Sequence, residues 1–181
     1  MTKIKKHRIL SYFGIPVICV ALLLVQVKRI DPYLILRFEM LIISGYAAAV
    51  SDIKDKRISN GLVLAMMAAW SLIMIPKLFL DTGTAFALLT DSALGFAVGG
   101  GMFLLVYLLS RRGLGGGDVK FMAAAGLYLG LYGVLPAMLC GTVLASLTGI
   151  GLILFKKIGR KDTIPLAPFL YAGFLTTMFL W

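Results

Sequence analysis

Leu108-Leu109-Ser110-Arg111-Arg112-Gly113-Leu114-Gly115-Gly116-Gly117-Asp118-Val119-Lys120-Phe121 joins two apolar runs, one ending near Leu109 and one starting at Phe121. Apolar runs of this length belong in lipid, so the join sits at a membrane boundary. A carboxylate at such a boundary is costly unless it has water, a partner or a function. Three consecutive glycines do not serve helix stability, because each costs up to about 1 kcal/mol relative to Ala. They are expected to open the backbone, take positive φ and let another chain approach closely. A permissive backbone presenting one Asp at a membrane face points to aspartic chemistry, which requires a second carboxylate.

Composition agrees with the membrane reading. Of 181 residues, 60% are hydrophobic, and 18 Lys and Arg outnumber 8 Asp and Glu. Mean hydropathy is +0.97. These values indicate an all-α, polytopic membrane helix bundle, here one domain over 1–181, and not a soluble domain with a large core. The net charge of +10 does not indicate nucleic acid, because the basic residues cluster at the ends of apolar runs. There they follow the positive-inside rule and meet anionic lipid headgroups. Cys19 and Cys140 lie within apolar runs, with no C-x-x-C, and His7 in the basic N-terminal tail is the one histidine. No metal or other cofactor is expected, nor a Ser-His-Asp triad.

Seven spans are expected, at about 9–27, 33–51, 60–79, 86–109, 119–133, 134–155 and 164–181. The first follows a basic segment, carries Pro16 and lacks a small-x-small cleavage site, so it reads as a retained signal anchor. The fifth and sixth meet among Gly126, Gly130, Gly133 and Pro136, which predict a tight helical hairpin. With the N-terminus in the cytoplasm, that side receives most of the basic residues, from Lys3 to Lys161. The other side receives only Lys28, Arg29, Arg37 and Lys77.

This topology sorts the acids. Asp52, Asp55, Asp118 and Asp162 fall on the cytoplasmic side, and Asp31, Glu39, Asp81 and Asp91 on or near the other. Only a cytoplasmic carboxylate can meet Asp118. Asp52 closes the second span after Ala47-Ala48-Ala49-Val50-Ser51. Asp55 lies among Lys54, Lys56 and Arg57, where a solvated ion pair is the ordinary state, and Asp162 sits in a basic loop. Asp52 is therefore the better partner. Small residues before Asp52 and after Asp118 (Ala123-Ala124-Ala125-Gly126) suit close helix packing, as does the series Gly95, Gly99, Gly100, Gly101.

Three segments resemble the type IV prepilin peptidase family. Asp52-Ile53-Lys54-Asp55-Lys56-Arg57-Ile58-Ser59-Asn60 resembles its first active-site segment, with Ser59 where Pro is usual. Gly115-Gly116-Gly117-Asp118-Val119-Lys120 matches its Gly-x-Gly-Asp-x-Lys segment. Ile164-Pro165-Leu166-Ala167-Pro168-Phe169 resembles the start of its last helix, with Ala167 replacing a usual Gly. The segments occur in the family's order over about 45–175, most of the chain. The cytoplasmic insertion with paired C-x-x-C motifs, associated in larger members with N-methylation, has no counterpart here. The resemblance is thus to short, peptidase-only members of tight-adherence or archaeal preflagellin systems, without methyltransferase activity or zinc.

The resemblance implies an aspartic endopeptidase of the cell membrane. It would cleave the basic leader of prepilin or preflagellin-like proteins at the cytoplasmic face, with Asp52 and Asp118 catalytic. Two neighbouring carboxyl groups tend to share one proton. The charged member would activate water and the protonated one would donate to the scissile carbonyl oxygen, with the initial base left open. Gly115 and Gly117 would keep backbone N–H groups open to an extended substrate. Lys120 is expected to contact headgroups or solvent, with biasing of the shared proton and substrate contact the other readings. Asn60 is expected to cap the third helix. Two alternatives stand beside this. A presenilin-like or signal-peptide-peptidase-like protease shares Gly-x-Gly-Asp but places its other Asp in a Tyr-Asp pair, where this chain has Ser51-Asp52. A small transporter or assembly subunit would use the acids to bind a proton or cation.

Overall fold

The computed structural model describes residues 32–110, 113–156 and 164–180. The expected first span, and Arg111, Arg112, Lys157, Arg160, Lys161 and Asp162, lie outside the described residues. Five helices make up the described chain: α1 (Pro32–Asp55), α2 (Asn60–Leu80), α3 (Thr82–Leu109), α4 (Gly116–Leu154) and α5 (Ala167–Leu180). The first four are long and apolar enough to cross a membrane. The chain is therefore a multi-pass, all-α membrane protein, as its composition indicates.

Local chemistry sets the helix ends. Pro32 opens α1, a position where a missing N–H costs nothing. Lys56 ends α1 in the left-handed region (φ 50°), with its N–H on the Asp52 carbonyl at 2.9 Å. The N-cap of α2 is Ser59, whose Oγ accepts the Gly61 N–H at 3.2 Å. This corrects the expectation that Asn60 caps the helix: the cap lies one residue earlier, and Asn60 is left free for another contact. Asp81 alone separates α2 from α3, and its carboxylate caps α3 through Thr84.

α4 is two rods. At Gly130 the torsions are φ 69° and ψ −177°, a region open essentially to Gly alone. A Cβ placed on Gly99 would lie 2.9 Å from both the Met122 carbonyl oxygen and the Val134 side chain. In a straight helix those two residues would be roughly 18 Å apart. The chain therefore folds back at Gly130, giving the expected hairpin between arms 116–129 and 131–154. α5 runs antiparallel to the returning arm: Gly141 packs on Leu170, Gly173 on Ala137, and Thr177 lies by Gly133.

Every residue from 121 to 130 is buried, so the first arm of α4 is the central rod of the bundle. α3 packs most extensively against α4. Gly95 and Gly126 form the crossing point, where a Cβ on either would strike the other's carbonyl oxygen. Gly95, Gly99 and Gly100 of α3 thus pack within the chain, while Gly101 faces open space. Large apolar side chains such as Leu64, Leu72, Phe79 and Leu109 point outward, as a lipid-facing surface requires.

Candidate active site

The bundle gathers Asp52, Asn60, Asp118 and Ala167 at one end. Asp52, one turn before the end of α1, is buried at 6% exposure. Its Oδ2 accepts the Ala167 backbone N–H at 2.9 Å, across 115 residues of sequence. Helix N-terminal N–H groups have no partner inside their own helix, so α5 offers this donor because it begins there. Small residues make the burial possible: Ala48 and Ala49 are buried beside Asp52.

Asp118 enters from the first turn of α4. Its N–H bonds the Gly115 carbonyl at 3.1 Å, and the Gly115 N–H reaches back to its carboxyl group. The Asp118 and Asp52 carboxyl groups lie close enough for their charges to repel. Asp118 Oδ1 is buried and has no hydrogen-bond partner among the described residues. A buried oxygen in that state has a cost that a ligand or a reacting group would relieve. Asp55, on the same helix end as Asp52, is exposed.

The glycine run works differently from its expectation. Gly115 is extended (φ −72°, ψ 135°), Gly116 and Gly117 begin α4, and Gly130 is the one positive-φ glycine among the described residues. The requirement at the site is space. A Cβ on Gly115 would sit 2.8 Å from Asp118 Oδ2. One on Gly117 would sit 3.3 to 3.4 Å from Ile58 Cβ and from the Ile58 backbone N and O. A Cβ on Gly116 would meet nothing within 4 Å. Gly117 thus lets the α1–α2 loop close over the start of α4. Lys120 Nζ donates to Asn60 Oδ1 at 3.0 Å, tying α4 to α2 beside Asp118. Lys120 is exposed, so this contact adds to the expected headgroup or solvent contact without excluding it.

Among the described residues no cluster of His, Cys, Asp and Glu could hold a metal ion. Two carboxyl groups near enough to repel across helices, one of them with an oxygen unpaired among the described residues, can pass protons to and from a water and a carbonyl placed between them.

A model of the type IV leader peptidase family matches residues 39–154. The chain is 28% identical over 148 residues to a prepilin leader peptidase/N-methyltransferase of Xanthomonas campestris pv. campestris, covering 80% of this chain and 50% of that one. It is 27% identical over 126 residues to the protein of the same name from Bacillus subtilis, covering 69% and 48%. It is 35% identical over 97 residues to the leader peptidase HopD of Escherichia coli, covering 47% and 59%. The chain spans about half the length of these curated relatives. No solved structure matches.

Proposed function

The chain belongs to the type IV leader peptidase family, and from that membership we propose that it is a membrane aspartic endopeptidase that cleaves the leader of prepilin-like proteins. The observation that carries this reading is the approach of Asp52 and Asp118, drawn from helices far apart in sequence, at the end of the bundle where Asp118 Oδ1 lacks a partner.

In the proposed reaction the two carboxyl groups share one proton, and water sits between them and the scissile carbonyl. The charged carboxylate takes a proton from water as the water oxygen bonds the carbonyl carbon. The other carboxyl group gives its proton to the carbonyl oxygen. On collapse, the C–N bond breaks, the amine leaves with a proton from the first carboxyl group, and the second recovers its proton from the intermediate's hydroxyl. Gly115 and Gly117 let the Asp118 carboxyl group and the Ile58 loop close in beside the site, and Lys120 with Asn60 forms its rim.

We place this end of the bundle in the cytoplasm. Lys54, Lys56, Arg57, Lys120 and Lys156 are at that end, whereas the cations of the other end among the described residues, Arg37 and Lys77, are buried. A substrate whose basic leader stays cytoplasmic and whose apolar helix enters the bilayer would present its junction here. Because these loops are themselves basic, recognition rests on shape and backbone contact and not on charge attraction.

The test is the purified chain incubated with a candidate prepilin-like protein, with and without chelator. The reading expects one cut at the leader junction, unaffected by chelator. An uncut substrate across the organism's prepilin-like proteins would contradict the peptidase, and loss with chelator restored by zinc would contradict the aspartic mechanism.

A further inference from the structure

The polar residues at the break in α4, the far end of its first arm, carry a second inference. Arg37 sits within α1 at 7% exposure, in a segment that should be in or near hydrocarbon. Its Nη2 donates to the Leu127 carbonyl at 3.3 Å, the Tyr128 carbonyl at 2.6 Å and Ser92 Oγ at 3.5 Å. Asp91, on α3, accepts the Leu131 N–H on Oδ1 at 3.0 Å. Its charge also acts on the Arg37 guanidinium. In an unbroken helix the Leu131 N–H would bond the Leu127 carbonyl. The break at Gly130 separates them, and Asp91 takes the donor while Arg37 takes the acceptor. Tyr128 Oη, donating to the Met66 carbonyl at 2.6 Å, fixes the same helix end to α2.

Lipid offers no water to such groups, so a broken helix must have its loose ends satisfied by neighbours. That accounts for polar residues at the break, but not for a buried guanidinium whose Nε has no partner among the described residues. Apolar residues of similar volume usually fill such space at no loss of stability. Ionisable residues retained inside membranes generally serve function. The first arm of α4 is a lever hinged at Gly130. Asp118 lies ten residues from Tyr128 along it, roughly 15 Å. A tilt of about 5° at the break would therefore move Asp118 by about 1 Å, and a displacement of that size can cost on the order of 10²-fold in rate.

We propose that Arg37 and Asp91 are positioning residues: by capping the two ends of the break in α4, they set the angle of the arm that holds Asp118 against Asp52. For its kinetics this rests on the peptidase reading; for its geometry it does not.

The experiment has a distance arm and a kinetic arm. With Cys19 and Cys140 replaced by serine, spin labels at Lys54→Cys and Gly116→Cys report the separation of α1 and the start of α4. The background with Arg37 and Asp91 intact and Arg37→Lys should give one narrow distance, and Arg37→Met a broad or displaced one. In label-free protein, Arg37→Met should lower kcat by on the order of 10²-fold with KM unchanged, and Arg37→Lys should recover most of it. Should Arg37→Met fail to insert, Asp91→Asn decides, since it keeps the acceptor and the volume. It should widen the distance and lower kcat to a smaller degree. Parental distances and kcat in the inserted variant, or a change in KM alone, would overturn the proposal. Displaced labels in a chain that cleaves nothing would support the clamp and defeat the peptidase reading alone.

Discussion

The Asp52 carboxylate holds the Ala167 backbone N–H at 2.9 Å, so the end of α1 and the first turn of α5 are one unit. This gives Ile164-Pro165-Leu166-Ala167-Pro168-Phe169 a physical task. The segment starts α5 where its first free N–H points at Asp52, and Pro168, lacking an N–H of its own, fits the first turn at no cost.

Glycine space at the site is testable residue by residue. Gly117→Val should cut processing sharply, because its side chain must displace Ile58 and its backbone. Gly115→Val should do the same by pushing on the Asp118 carboxyl group. Gly116→Ala, with nothing in reach, should process near the parental rate. The measurement is a cleavage assay normalised to protein in the membrane. Parental cleavage by Gly117→Val would reduce the run to a plain loop.

Helix crossing is a separate question, read by stability. Gly95→Val or Gly126→Val should separate α3 from α4, because each side chain meets backbone that cannot rotate away. The loss should exceed the roughly 1–3 kcal/mol typical of an overpacked core. Gly101→Val points into open space and should melt like the parent in detergent. Equal melting of all three would contradict the crossing.

The proposed membrane sidedness rests on charge and is tested by labelling. In a background without Cys19 and Cys140, cysteines at Ser59 and Gly113 should be labelled from the cytoplasmic side, and one at Thr82 from outside. The reverse pattern would put the aspartates on the wrong face for a leader peptidase and favour a transporter.

The spans between 33 and 155, the hairpin in α4 and the meeting of the two aspartates were legible because each follows from apolar length, from breakers, or from a charge at a membrane edge. Positions set by tertiary contact were not. Asp91 reads in sequence as an acid on or near the non-cytoplasmic side and Arg37 as a cation of that side within the span 33–51, and only the fold shows them meeting at Gly130. The signal available was their lone placement inside apolar runs. Asn60 resembles a cap because Asn favours that position, yet Ser59 is better placed and Asn60 turns to Lys120. Positive φ was expected in the run 115–117, where glycine instead provides room. It occurs at Gly130, where the helix must reverse.

The central claim is that Asp52 and Asp118 act as one catalytic unit, and the most direct measurement is prepilin cleavage by Asp52→Asn, Asp118→Asn and the double variant. Each single change should abolish cleavage in folded, inserted protein, and the double should be no worse than either, because groups that act together do not add. Exposed Asp55→Asn should keep most activity. Full cleavage by either single variant would contradict the assignment.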